Sequence, residues 1–185
     1  MKNNLALKAL FISNSIFVFA SMLLGPLYAV YVQKIGGGVL LVSISTGVFY
    51  VSTAVFLIFV ARWGDRVREK ELMLMASYII RGFAFLSYIF INSSLMLVVL
   101  QMIFGLGAAL GTPTFSALFA EHTDKKEEVM EHSDWALVSH LVMALGTIVG
   151  GFVAASLGFP FLFGTIAALC FLSAGWILFT PRKVI

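Results

Sequence analysis

The chain has 185 residues, of which 61% are apolar and only 11% are charged, and its formal net charge is +3. Soluble domains contain about 45–50% apolar and about 25% charged residues, so a soluble fold of this length could not bury so much apolar surface. The composition indicates an integral membrane protein embedded in a lipid bilayer, and the small basic excess does not point to nucleic acid as a partner.

Six apolar segments are each long enough to cross a bilayer as an α-helix, which takes about 20 residues. They are called span 1 to span 6, and they are predicted near residues 9–32, 39–60, 72–91, 95–120, 135–157 and 160–179. Glycine, asparagine, serine and proline residues between spans predict tight turns. No other segment is large enough for a second domain, so residues 1–185 are predicted to form a single all-α bundle of six transmembrane helices.

Charged residues predict the orientation of the bundle. All nine acidic residues lie in four polar stretches, as do all twelve Lys and Arg residues except Lys34 and Arg81. Six crossings bring these stretches to one side of the membrane: residues 1–8, 62–71, 121–134 and 181–185. Because Lys and Arg concentrate in cytoplasmic loops, both termini are predicted to be cytoplasmic in a plasma membrane. A cleavable signal is not expected, because the first apolar segment is far longer than a signal core.

Spans 1 and 4 carry helix-breaking residues at corresponding positions. Gly25 and Pro26 lie late in span 1, and Gly111 and Pro113 lie late in span 4. Each proline removes one helical hydrogen bond, and breaks in corresponding segments of two halves indicate a cavity. Since span 1 runs outward and span 4 inward, the pattern predicts a 3+3 inverted repeat.

Small residues cluster in spans 4 and 5, where the lack of a Cβ atom lets helices approach closely. The predicted packing positions are Gly105, Gly107, Gly146, Gly150 and Gly151. Ordinary packing within the bundle is one interpretation of this cluster. The glycine face of span 5 is also a candidate for the seam with a second bundle.

Four polar side chains at membrane depth are candidate cavity residues: Asn14, Arg81, Gln101 and His140. The two amide side chains either line a cavity or tie helices together. A central arginine costs about 2.5–3.5 kcal/mol on insertion scales, so Arg81 is expected to face the bundle interior or water. His140 is the one histidine within the predicted spans, and it serves either as a structural hydrogen-bonding residue or in a proton relay.

No predicted span contains Asp or Glu, so the counter-charge of Arg81 must come from elsewhere. Substrate, a lipid headgroup, backbone carbonyls and another chain are the alternatives. Both an anion-binding role and a structural role of Arg81 therefore stay open.

Three segments resemble motifs of the major facilitator superfamily, each in the expected span and order. Residues 61–70 read ARWGDRVREK, close to the family pattern GxxxDRxGR followed by Arg or Lys. Residues 101–107 read QMIFGLG, close to RxxxGxG, and residues 146–151 read GTIVGG, close to the antiporter-type GPxxGG. Over its whole length the chain resembles the N-terminal six-span half of such a transporter.

The resemblance implies half of a twelve-span fold that moves a small-molecule substrate by alternating access, and the antiporter-type motif favours efflux. The implied partner is a second six-span bundle, either in a homodimer or as a separate half. The family lines its cavity with spans 1 and 4, which favours Asn14 and Gln101 as cavity residues. It places span 3 at the periphery, which disfavours direct contact between Arg81 and substrate.

The loop between spans 2 and 3 resembles the family's cytoplasmic latch, which holds one face of the transporter closed. The matching residues are Asp65, Arg66 and Lys70. A carboxylate near a helix N-terminus is stabilised by the helix dipole, and an arginine can bind a carboxylate such as Glu121 at the end of span 4.

Two other classes of protein are alternatives to a transporter. A truncated or noncatalytic six-span partner protein is the main alternative, and a membrane enzyme is less favoured because the sequence lacks GxSxG and HExxH motifs and an acid pair at membrane depth. His122 and His132 lie in an acidic loop, but their spacing is not specific for a metal. No catalytic residue, metal or cofactor is predicted.

Overall fold

Helices make up all the regular secondary structure in the described part of the chain. The computed structural model describes residues 5–64, 67 and 69–180, and within these ranges it contains no strand. Six helical segments there are long and apolar enough to cross a membrane: Leu5–Lys34, Val39–Gly64, Lys70–Phe90, Ser94–His122, Glu128–Ser156 and Phe159–Phe179. Each overlaps one predicted span, so the names span 1 to span 6 are kept, and the all-α six-span prediction is confirmed.

Helix boundaries lie close to the predicted positions except at the start of span 5. That helix begins at Glu128 instead of near residue 135, because acidic residues in a first turn interact favourably with the helix dipole and the helix continues beyond the apolar segment. Span 4 begins after Ser93, whose side-chain oxygen accepts a hydrogen bond from the backbone N–H of Met96 at 3.3 Å. Gly158, with φ of 83°, forms the turn before span 6.

Only one of the two predicted helix breaks occurs. Span 1 consists of an α-helix (Leu5–Leu24), a 3₁₀ turn (Gly25–Leu27) that contains Pro26, and a second α-helix (Tyr28–Lys34). Span 4 is one continuous α-helix with Pro113 inside it, so the prediction of a break there is wrong. Pro113 has no N–H to donate to the carbonyl of Ala109, and the helix continues through this one missing hydrogen bond.

The six spans have a regular set of neighbours. Span 1 packs most extensively on spans 5 and 6, span 4 packs on spans 2 and 3, and spans 3 and 6 pack on each other. Exchanging spans 1, 2 and 3 for spans 4, 5 and 6 leaves this set of pairs unchanged. The 3+3 inverted repeat stays a prediction, and this neighbour set is the one that such a repeat requires.

The largest apolar core lies among spans 1, 3, 4 and 6, where Leu23, Phe104 and Phe163 are among the buried residues. Spans 2 and 5 are the least covered by the rest of the chain, with 11% and 17% of their most apolar windows buried, against 33–50% in the others. Two spans therefore expose most of their surface to whatever surrounds the bundle.

Two of the three glycines of span 5 pack inside the bundle. A Cβ atom at Gly146 would lie 2.8 Å from the carbonyl oxygen of Phe19, and one at Gly150 would overlap the carbonyl of Leu23, so both face span 1. The prediction that this face forms a seam with a second bundle is therefore wrong for these two positions. A Cβ atom at Gly151 would meet no atom within 4 Å.

Candidate functional site

A cavity of about 340 Å³ lies between spans 1, 3, 4 and 5, and we call it the arginine cavity. Most of its lining is apolar. Its polar lining residues are Asn14, Tyr78, Arg81, Thr112 and Ser116. Two of the predicted cavity residues, Asn14 and Arg81, therefore face the same space.

Arg81 can reach this cavity because span 4 has a glycine, which has no side chain, at position 107. A Cβ atom at Gly107 would come 2.7 Å from Cγ of Arg81. The guanidinium carbon lies 4.6 Å from the centre of the Phe17 ring in span 1, within the range of a cation–π interaction. The side chain thus reaches from span 3 towards spans 1 and 4, as the cost of exposing arginine to lipid requires.

Tyr78 fixes the position of Asn14. Its hydroxyl donates to Oδ1 of Asn14 at 3.0 Å, and its ring stacks on Phe17 with centroids 5.0 Å apart. Because the carboxamide oxygen of Asn14 is engaged, its N–H groups are the donors that it can offer within the cavity.

A second cavity, of about 330 Å³, lies between spans 1, 2, 3 and 4, and we call it the tyrosine cavity. Tyr28, Tyr50, Tyr88 and Gln101 are among its lining residues, together with Gly25 of the 3₁₀ turn. Gln101, which the sequence predicts as a candidate cavity residue, is part of this lining.

Gln101 is the centre of a hydrogen-bonded group in the tyrosine cavity. Its Nε2 atom donates to the hydroxyls of Tyr28 at 2.8 Å and Tyr88 at 3.0 Å. The Tyr28 hydroxyl also shares a hydrogen bond of 2.5 Å with Ser45 of span 2. Gln101 thereby connects span 4 directly to spans 1 and 3, and Tyr28 extends the group to span 2.

His140 lies apart from both cavities. It is exposed on span 5, and its Nδ1 atom is 2.6 Å from the carbonyl oxygen of Ala136 in its own helix. This hydrogen bond matches the structural interpretation of His140. The other three candidate residues do line cavities.

At one end of the bundle, Lys70 of span 3 forms an ion pair with Glu121 of span 4, with Nζ and Oε2 3.0 Å apart. The two side chains are 36% and 57% exposed, so the pair contributes at most about 1 kcal/mol to stability. Two members of the predicted latch, Lys70 and Glu121, are thus in contact. Asp65 and Arg66 lie outside the described residues.

The sequence model of the Major Facilitator Superfamily matches residues 10–185. The chain belongs to the Major Facilitator Superfamily. A Bacillus subtilis (strain 168) protein described as the uncharacterized MFS-type transporter YitZ is 27% identical over 157 residues, which make up 84% of this chain and 94% of the relative. Membership of this superfamily identifies the chain as a multi-pass membrane protein of a transporter family, and it points away from an enzyme.

The sequence motifs predicted only part of the hydrogen-bonded group in the tyrosine cavity. The motifs marked Gln101 and the glycines, but not Tyr28 or Ser45, which belong to the same hydrogen-bonded group. The one signal for Tyr28 was its position just after the Gly25–Pro26 break. Among the described residues, no group of three or more His, Cys, Asp and Glu side chains is placed to hold a metal ion.

Proposed function

We propose that this chain is one half of a secondary transporter in which spans 1 and 4 line a pathway that opens alternately to the two sides of a plasma membrane. The observation that carries the proposal is the pair of cavities along these two spans. Asn14 in one cavity and Tyr28 in the other are about 20 Å apart along span 1, at a helical rise of about 1.5 Å per residue. Polar side chains at two depths provide successive positions for a solute.

A second six-span bundle completes the pathway in this proposal, either as a homodimer or as a separate half. Spans 2 and 5 are the least covered spans, and span 2 exposes 66% of Tyr50, a polar side chain within an apolar segment. The Bacillus subtilis relative aligns with this chain over 94% of its own length, so the relative is about as long as one six-span bundle. Two-fold symmetry suits the homodimer.

Accessibility of single cysteines tests the two-sided pathway. In a Cys170→Ser background, Thr46→Cys in the tyrosine cavity and Ser116→Cys in the arginine cavity are expected to react with an impermeant maleimide from opposite sides of oriented vesicles. Phe83→Cys, whose native side chain is 59% exposed on span 3, is the control for a position facing lipid and is expected to react from neither side. Labelling of both cavity positions from one side alone would contradict the proposal.

Mass measurement in nanodiscs tests the twelve-span assembly. We expect the active form to contain two six-span bundles. A strictly monomeric chain that still transports would overturn this part of the proposal, whereas a monomer that neither transports nor changes accessibility favours a noncatalytic partner protein.

We also infer that the loop between spans 2 and 3 acts as the cytoplasmic latch. The ion pair of Lys70 with Glu121 supports the latch, because it connects the start of span 3 to the end of span 4 beside that loop. Asp65→Asn is expected to leave membrane insertion intact while it reduces transport, since the latch acts by stabilising one of two states. Unchanged transport and unchanged accessibility in this variant would remove the latch from the mechanism.

A further inference from the structure

We propose that the arginine cavity binds a small organic monocarboxylate, with Arg81 as the residue that pairs with the carboxylate group. This inference names a substrate class for the proposed transporter and so rests on that function. It is carried by the geometry around Arg81.

The guanidinium group of Arg81 has binding capacity that the chain does not use. Within the described ranges it forms no ion pair and no hydrogen bond. Every fully buried side-chain nitrogen in these ranges has a hydrogen-bond partner. The N–H groups of Arg81, which have none, are therefore not fully buried and reach the surface of the cavity that Arg81 lines. Arg81 is also the one Lys or Arg within the six apolar segments, which contain no Asp or Glu. A neutralising anion must therefore come from outside these segments.

The surrounding residues hold Arg81 in place for such an anion. Gly107 leaves room for its aliphatic carbons, and a Cβ atom at Gly111 would lie 3.6 Å from one terminal guanidinium nitrogen. The guanidinium carbon lies over the ring of Phe17. A guanidinium that is fixed in this way loses less conformational entropy when a ligand binds.

The polar residues beside Arg81 suit the oxygens of a carboxylate. Asn14, whose carboxamide oxygen already accepts from Tyr78, offers N–H donors, and Thr112 adds a hydroxyl to the same lining. A carboxylate accepts two parallel hydrogen bonds from one guanidinium group, which makes this pair stronger than a hydrogen bond between neutral groups.

The charge of the cavity favours a monoanion with an apolar body. A single arginine neutralises one negative charge, whereas a phosphate dianion would keep an excess charge in a region of low dielectric constant. The rest of the lining is largely apolar and includes Phe17, Leu74, Phe115 and Met143. A ring or a short aliphatic chain that carries one carboxylate matches both features.

Benzoate and benzamide test this proposal directly, because they share a ring and differ in charge. In nanodiscs of zwitterionic lipid, benzoate is expected to raise the unfolding temperature in a saturable manner, and benzamide is not. Arg81→Gln is expected to weaken the apparent affinity for benzoate at least tenfold, which corresponds to about 1.4 kcal/mol, and Arg81→Lys to weaken it less.

Lys34→Gln is the matched control. Lys34 also lies over an aromatic ring, with Nζ 5.4 Å from the centre of the Phe159 ring, but it is remote from the arginine cavity. Its variant is expected to bind benzoate like the wild type. Equal loss of affinity in Lys34→Gln and Arg81→Gln would overturn the proposal.

A measurement on the wild-type protein covers the case in which Arg81→Gln does not fold. Modification by an arylglyoxal, read at Arg81 by mass spectrometry, is expected to be slowed by benzoate and not by benzamide. Equal modification rates with the two ligands would overturn the proposal. So would protection of Arg81 by phosphatidylglycerol in place of benzoate, since the anion would then be a lipid headgroup.

Failure of the inference and failure of the proposed function give different results. If the protein binds benzoate through Arg81 but no solute crosses reconstituted liposomes, the transporter function fails and the binding site stands. If liposomes take up a solute and Arg81→Gln changes neither this uptake nor the effect of benzoate on the protein, the transporter function stands and the carboxylate site fails.

Discussion

At the residue scale, Tyr78 has two separable functions, since its ring packs on Phe17 while its hydroxyl holds Asn14. Tyr78→Phe keeps the ring and removes the hydrogen bond. Because such bonds between membrane helices are worth about 0.6 kcal/mol on average, we expect a small decrease in the unfolding temperature in detergent. Tyr50→Phe is the control, because the Tyr50 hydroxyl forms no hydrogen bond within the described ranges, and it is expected to have no effect. A larger loss in the control would contradict this assignment.

Much of the site at this scale follows from residue type and depth. An arginine without an acidic partner in any span must turn inward, and Arg81 does so. The pairing of Gln101 with Tyr28 and Tyr88 could not be predicted, because depth along a helix does not say which faces of separate helices meet. Hydropathy leaves that rotation undefined.

At the scale of the helices, a matched pair of glycines separates packing from helix propensity. Alanine at either position 150 or position 151 gains about 1 kcal/mol of helix propensity. At Gly150 the new methyl group also overlaps the Leu23 carbonyl, whereas at Gly151 it meets no atom within 4 Å. We expect Gly150→Ala to be destabilised by roughly 1–3 kcal/mol relative to Gly151→Ala, measured as thermal unfolding in detergent. Equal stability of the two variants would show that the Leu23 carbonyl of span 1 does not restrict the side chain at position 150 of span 5.

The ion pair of Lys70 with Glu121, which joins spans 3 and 4, allows a charge-exchange test of the proposed latch. Either single reversal, Lys70→Glu or Glu121→Lys, is expected to shift the labelling rate of a cysteine at Thr46 a few-fold, and the double exchange to restore it. The magnitude follows from an exposed ion pair, which is worth about 0–1 kcal/mol. A double exchange that labels like either single reversal would show that the two residues do not act on each other.

The helices themselves were predictable, and their irregularities were only partly so. Proline in a membrane segment predicts a break in the helix. The segment with Gly25 and Pro26 does break, into a 3₁₀ turn, whereas Pro113 stays within a continuous α-helix. The outcome at a proline depends on which groups satisfy the freed carbonyl, and these lie on other turns and other helices. Likewise the GxxxG spacing of Gly146 and Gly150 predicted a close contact but not its partner.

At the scale of the whole molecule, the distribution of charge predicts that the turns after spans 1, 3 and 5 face outward. Single cysteines at Gly38, Asn92 and Leu157 in a Cys170→Ser background are expected to react with an impermeant reagent in intact cells. Gly38 and Asn92 are exposed, Leu157 is 57% exposed, and a Cβ atom at Gly38 meets nothing within 4 Å. A cysteine at Lys125 is the inward control and is expected to react only after permeabilisation. The opposite pattern would invert the proposed orientation.

The contact of Arg81 with Gly107 restricts how this protein can diverge. Since a side chain at position 107 would meet Arg81 at Cγ, near the backbone, rotation of the guanidinium end alone could not relieve the clash. Positions 81 and 107 are therefore expected to covary among relatives: an arginine at the first with glycine at the second, and larger residues at the second only where the arginine has been lost. Relatives that share the pair form the group in which the same ligand chemistry is to be sought.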